Sequence, residues 1–338
     1  YDAPVDDGRP LPGGAAQRSG PPYAGPITWD GCDLLTDPEQ LDARQPDVAV
    51  VGAPWDDSTT YRPGARFGPR ALRADAYQPG THHLDLGITI DDHLDIVDYG
   101  DAMCPPGLWE PSFEAIRDRV HEVASRGIVP VVLGGDHSIT YPSATAVAAA
   151  REGTLGMIHF DAHADTADAL YGNPASHGTP MRRLIESGAI AGRNFVQVGL
   201  RGYWPGPDIL EWMHEHGLRW HRMEEIWQRG IAAVIDTAIS EALDGPDAIY
   251  LSVDIDVLDP GYAPGTGTPE PGGMQPADLL RAVRRIAMET PLAALDVVEV
   301  SPPYDWAAST INNADRVIRE VLAALAWKKA GRPPLPPL

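Results

Sequence analysis

From Asp47 onward, short apolar runs alternate with longer stretches of helical period, and no other feature of the chain restricts its fold as strongly. Val48 to Val51, Val129 to Leu133, Leu155 to Phe160, Phe195 to Val198, Ala248 to Val253 and Ala293 to Val298 read as strands buried on both faces. Between and after them, residues 111–126, 139–151, 179–187, 207–216, 230–243, 276–289 and 309–328 carry the spacing of amphipathic helices. Alternation of this kind predicts an α/β fold: a single three-layer, doubly wound domain with a mostly parallel sheet. No linker interrupts residues 47–330, which are expected to form one domain. Residues 1–46, rich in Pro, Gly and Asp, read as an N-terminal arm, and 331–338 as an extended Pro-rich tail.

Composition narrows the classes of partner. A formal charge of -22 leaves no clustered Lys and Arg for phosphate, so nucleic acid is not expected as a ligand. Only Cys32 and Cys104 are present, which excludes a disulfide scaffold and a thiolate zinc cluster and points to the reducing cytoplasm. No apolar run of about 18 residues is available to span a membrane.

Three predicted strands run directly into clusters of potential ligands. Leu133 leads into Gly134-Gly135-Asp136-His137-Ser138, Phe160 into Asp161-Ala162-His163-Ala164-Asp165, and Val253 into Asp254-Ile255-Asp256. Ligands of a parallel sheet bind outside the carboxyl ends of its strands, so the three clusters can converge. In an extended segment alternate residues point one way, which would pair Asp161 with His163 and Asp254 with Asp256. Oxygen-rich ligands with imidazoles and no thiolate suit Mn²⁺, with Ni²⁺ or Zn²⁺ as other candidates. Four carboxylates gathered in one place repel one another unless about two divalent ions offset them. A single Asp-x-His is commonly a solvated loop or a helix cap; three at strand ends are harder to explain that way. Asp136 is either a further ligand or a hydrogen-bond partner of a neighbouring imidazole.

In this order the three segments resemble the ureohydrolase family, which includes arginase, agmatinase, guanidinobutyrase and proclavaminate amidinohydrolase. The likeness extends to Tyr61-Arg62-Pro63-Gly64-Ala65-Arg66-Phe67-Gly68-Pro69, to Ser176-His177-Gly178-Thr179-Pro180 and to Glu299-Val300-Ser301-Pro302-Pro303-Tyr304-Asp305. It implies an arginase-like fold and two Mn²⁺ ions. His137, Asp161, Asp165 and Asp254 would hold one ion and Asp161, His163, Asp254 and Asp256 the other, with Asp161 and Asp254 bridging. It also implies that His177 transfers a proton near the leaving amine, with Asp165 as a second route, and that Glu299 grips the guanidinium. Members usually assemble as homotrimers or homohexamers. The expected reaction is release of urea from a small cationic guanidino compound.

Agmatine, giving putrescine and urea, is the substrate ranked first, ahead of guanidino acids (4-guanidinobutyrate or 3-guanidinopropionate) and small guanidines. Gly202-Tyr203-Trp204-Pro205 stands where an arginase would carry acidic residues that read an amino acid. Tyr203, Trp204 and Trp306 are therefore candidate substrate contacts. Other classes are a binuclear phosphoesterase, whose Gly-Asn-His is absent here, and an inactive regulatory homologue, which would be expected to lose ligands that this chain keeps.

Overall fold

Strands that are apolar on both faces belong in the middle of a sheet, and the predicted runs lie there. The protein, seen in a computed structural model, is described over residues 27–77 and 79–332. Its strands are β1 (Val48–Ala53), β2 (His82–His83), β3 (Ile88–Thr89), β4 (Ile96–Asp101), β5 (Val129–Gly134), β6 (Leu155–Phe160), β7 (Ile190–Leu200), β8 (Arg219–Arg222), β9 (Ala248–Asp254) and β10 (Leu292–Val298). Eight of them form one sheet in the order β4-β1-β5-β10-β9-β6-β7-β8, while β2 and β3 pair separately. Every neighbouring pair in the large sheet is parallel. The two edge strands are the ones the sequence pattern misses. An edge needs no continuous apolar run, and β4 ends in Asp-Tyr-Gly-Asp while β8 reads Arg-Trp-His-Arg.

Helices cover both faces. On one side α2 (Gly68–Ala74), α7 (Met223–Arg229), α8 (Ile231–Ala242), α9 (Pro276–Glu289) and α10 (Ser309–Lys329) contribute to one apolar cluster. On the other, α1 (Pro38–Arg44), α3 (Trp109–Ala124), α4 (Thr140–Ala149), α5 (Pro180–Ser187) and α6 (Pro207–Glu215) contribute to a second. The seven predicted helices agree with α3 to α6 and α8 to α10 to within a few residues. The other three, α1, α2 and α7, are seven residues each, too short for a periodic pattern to stand out.

Where it is described, the arm lies against the domain. Trp29 and Leu41 are buried, and α1 is capped by Asp37 accepting from the Gln40 N–H, so residues 27–46 pack onto the domain. An ion-pair network holds them: Arg319 of α10 lies 2.8 Å from Asp30 and 2.7 Å from Asp315, all buried. The remainder of the arm, 1–26, and residues 333–338 of the tail lie outside the described residues. Removing one member strands the others' charges, so Arg319→Met is expected to destabilise the fold by about 3–5 kcal/mol, read as a lower urea midpoint. An unchanged midpoint would contradict that.

Candidate metal centre

Four neighbouring strands, β5, β10, β9 and β6, deliver the site at their carboxyl ends. After β5 the chain must pass close to the β1 loop: a Cβ on Gly135 would sit 1.9 Å from the Trp55 carbonyl oxygen, so only glycine fits. This passage delivers His137. Its Nε2 meets Ser252 Oγ at 3.0 Å, which directs Nδ1 toward three carboxylates. Asp161 Oδ2, Asp165 Oδ2 and Asp254 Oδ2 stand 3.0, 3.1 and 3.1 Å from Nδ1. Yet Nδ1, fully buried, has no hydrogen-bond partner. The four atoms converge on a point between them instead of pairing, the arrangement a cation requires.

A second group lies beside the first. His163 Nδ1 is 3.1 Å from Asp256 Oδ2 and 3.5 Å from Asp161 Oδ1. The two oxygens of Asp161 thus face different groups, as a bridging carboxylate must. Asp254 is grouped with His137, Asp161 and Asp165, whereas the second set comprises Asp161, His163 and Asp256. Asp254 Oδ1 accepts the Asp256 N–H at 2.8 Å. Burial, with Asp256 and Asp161 adding their charge, pushes the Asp254 carboxyl well above the usual carboxylate range. Divalent ions would relieve that repulsion, and the donor set of imidazole and carboxylate fits them.

Strand alternation does not account for these pairs. Asp161 and His163 follow the end of β6, and Asp254 instead caps a short 3₁₀ turn, Ile255–Val257, that carries Asp256. Asp136 takes neither expected role. Its carboxylate accepts from Ser58 Oγ at 2.7 Å and from the Ser138 N–H at 3.0 Å, which ties down the Ser58–Thr60 loop. Burial and the nearby Glu299 charge raise its pKa to about 6. Asp136→Asn is expected to leave metal content unchanged while lowering turnover by about tenfold, through a looser loop. Loss of bound metal in that variant would return Asp136 to the ligands.

Glu299 and His177 meet directly. His177 Nδ1 is 3.0 Å from Glu299 Oε1, which also accepts the His137 N–H at 3.0 Å. Burial alone would lower the His177 pKa, but the hydrogen bond to Glu299 and its charge outweigh burial and push it up to about 9. On the far side, Nε2 accepts the Thr60 N–H at 3.1 Å and stands 2.7 Å from Thr60 Oγ1, which leaves the ring proton on Nδ1 toward Glu299. Glu299 is 1% exposed with its backbone at φ 61, and Asp165 has φ 53, left-handed conformations that cost energy for non-glycine residues. Glu299 Oε2 is buried with no donor.

Of the aromatic candidates, Trp204 stands 6.3 Å, ring to ring, from His163. Tyr203 and Trp306 project into solvent.

Three supporting residues escaped the sequence reading. His159 Nε2 is 2.9 Å from Asp161 Oδ2, and Gln197 Nε2 donates to its Nδ1 at 3.0 Å, which fixes the proton on Nε2 toward Asp161. Arg201 donates to the carbonyls of Asp256, Leu258 and Glu270, bracing the turn that carries Asp256. The alternation His159-x-Asp161-x-His163 was a usable signal for the first; Arg201 has none.

Residues 46–324 match the model of the arginase family. The chain is 40% identical over 315 residues to guanidinopropionase of Pseudomonas aeruginosa, covering 92% of this chain and 95% of that protein. It is 37% identical over 298 residues to the mitochondrial agmatinase of Gallus gallus, covering 88% and 86%. Among solved structures, proclavaminate amidinohydrolase of Streptomyces clavuligerus superposes with a TM-score of 0.83 at 35% identity, covering 91% of this chain and 99% of that one.

Proposed function

The chain belongs to the arginase family and is a ureohydrolase, and we propose that it splits agmatine into putrescine and urea at a pair of Mn²⁺ ions. One observation carries the reading: the buried, donor-less Oε2 of Glu299 stands beside two convergent groups of metal-ligand type. A guanidinium offers the missing N–H donors in a planar fork. We assign His137, Asp161, Asp165 and Asp254 to one ion and Asp161, His163, Asp254 and Asp256 to the other. When bound there, divalent ions would supply Lewis acidity and an activated water at neutral pH.

The chain's own groups do the rest. Glu299 orients the guanidinium carbon and offsets its charge, while its Oε1 stays fixed by the His137 N–H and His177. His177 holds a proton at a raised pKa, suited to protonating the amine as it departs. Asp165 is the alternative proton carrier. On the His163 side, the Glu270 carboxylate stands against Gly202 in the loop that bears Trp204, offering negative charge and an aromatic face to agmatine's distal ammonium.

A second reading, a guanidino acid, is favoured by Arg62. This half-buried cation lies 5.0 Å from the Tyr61 ring centre and 5.3 Å from that of Tyr304, with no ion-pair partner among the described residues. It would attract a carboxylate tail and oppose an ammonium. Urea release from agmatine, 4-guanidinobutyrate, 3-guanidinopropionate and guanidine, after loading with Mn²⁺, Ni²⁺ or Zn²⁺, decides between them. The expected result is the highest kcat/KM with agmatine and Mn²⁺; a guanidino acid turned over at least about tenfold faster reverses the order of substrates. Arg62→Gln is then expected to weaken the guanidino acids and leave agmatine unharmed.

No helix among the described residues is long and apolar enough to cross a membrane. We further propose a cytoplasmic homotrimer or homohexamer, on a sequence with only two cysteines and on the family's habit.

A further inference from the structure

One residue that faces Glu299 Oε2 lacks a side chain. A Cβ built on Gly267 would lie 2.9 Å from Glu299 Oε2, 3.4 Å from the Arg62 carbonyl oxygen and 3.6 Å from Thr59 Cγ2. A position 2.9 Å from a carboxylate oxygen is where a donor nitrogen sits in a hydrogen bond. Glu299 has no freedom to withdraw, because its Oε1 is held by both the His137 N–H and His177. Backbone conformation does not explain the glycine: Gly267 is not among the residues with positive φ, so alanine can adopt its geometry. Its surroundings are equally fixed, since Thr266 is fully buried and Thr268 Oγ1 donates to Asp256 Oδ2 at 3.3 Å.

We propose that Gly267 is a specificity-determining residue, its missing side chain being the headroom that lets a planar cation lay an unsubstituted NH₂ edge on Glu299. Guanidinium or amidinium ions bare along that edge enter; those carrying carbon on it do not. The inference rests on Glu299 as the carboxylate that grips the cation.

The test is calorimetric titration of acetamidinium, which has the planar fork but no alkyl amine to lose, into the Mn²⁺-loaded protein. Gly267→Ala is expected to weaken acetamidinium by about 100-fold and to raise KM for the best substrate in step, with kcat changing far less. Metal content and melting temperature should match the wild type. Affinity within about threefold of wild type overturns the proposal. If the wild type itself fails to bind acetamidinium, the reading of Glu299 is what fails, and the proposal falls with it. Should the variant lose metal, the wild type alone carries the test. Acetamidinium methylated on both nitrogens is expected to bind at least about tenfold more weakly than its parent, and equal binding would overturn the proposal.

Discussion

Asp161→Ala is expected to abolish urea release, by a factor of about 10⁴ or more in kcat, and to lower bound metal from two equivalents to one or none. No other side chain of the site faces both ligand groups in the same way. Its Oδ2 lies 3.0 Å from His137 Nδ1, and its Oδ1 is 3.5 Å from His163 Nδ1 while accepting the His163 N–H at 2.6 Å. Truncation removes a contact from each group and strands the Nε2–H of His159, 2.9 Å away in the intact protein. The stability effect should be larger with metal. In chelator-treated protein the variant leaves the His159 imidazole without its partner, at a cost of roughly 1–3 kcal/mol. With Mn²⁺ present, the wild type gains stability from binding and the variant does not. Metal analysis and melting curves with and without chelator read both effects. A variant that keeps two ions and about a tenth of wild-type turnover would remove Asp161 from the centre of the site.

Glu299→Gln is expected to cut kcat/KM by about 10³-fold while leaving both ions bound. The change is isosteric, so the amide oxygen can still accept the His137 N–H, but the Oε2 position then carries an NH₂ donor. Two sets of donors would face each other where the guanidinium must bind, and the charge that balances the cation is gone. Because Glu299 is buried with Oε2 unpartnered, neutralising it forfeits only the pairing of Oε1 with His177, and the melting temperature of the metal-loaded protein should fall little while KM rises steeply. That combination separates a substrate contact from a structural one: a merely structural glutamate would show its loss in stability and spare KM. Activity above about a tenth of wild type would end the assignment.

How far the sequence could be read depended on whether a feature leaves a local trace. Buried strands do, since apolar side chains are needed on both faces; β5, β6, β9 and β10, which carry the site, were all legible for that reason. Edges β4 and β8 were not, because half of each is open to polar residues. The candidate ligands were visible at strand ends, but the pairing of Asp254 with Asp256 comes from a capped 3₁₀ turn and not from extended alternation. Two different backbones here satisfy one spacing. His159 lies inside an apolar run, where only its spacing from Asp161 and His163 marks it, and Arg201 acts through carbonyl groups that belong to no residue type. The part of the arm that packs on the domain depends on Asp30 meeting Arg319, 289 positions away, which no local pattern records.

The order of strands across the sheet also sets a schedule for the newborn chain. In space β5, β10, β9 and β6 are consecutive, yet β9 and β10 leave the ribosome long after β5 and β6. When Asp165 has emerged, His137, Asp161 and His163 are already made, but the slot between β5 and β6 stays open until residues 248–298 arrive to fill it. A growing chain therefore offers an incomplete set of donors while the 88 residues between Asp165 and Asp254 are made, and neither Asp254, Asp256 nor Glu299 is there to finish it. Metal capture by the complete site consequently waits until Glu299 has been made, and a product cut short before Asp254 is expected to hold no pair of ions at all.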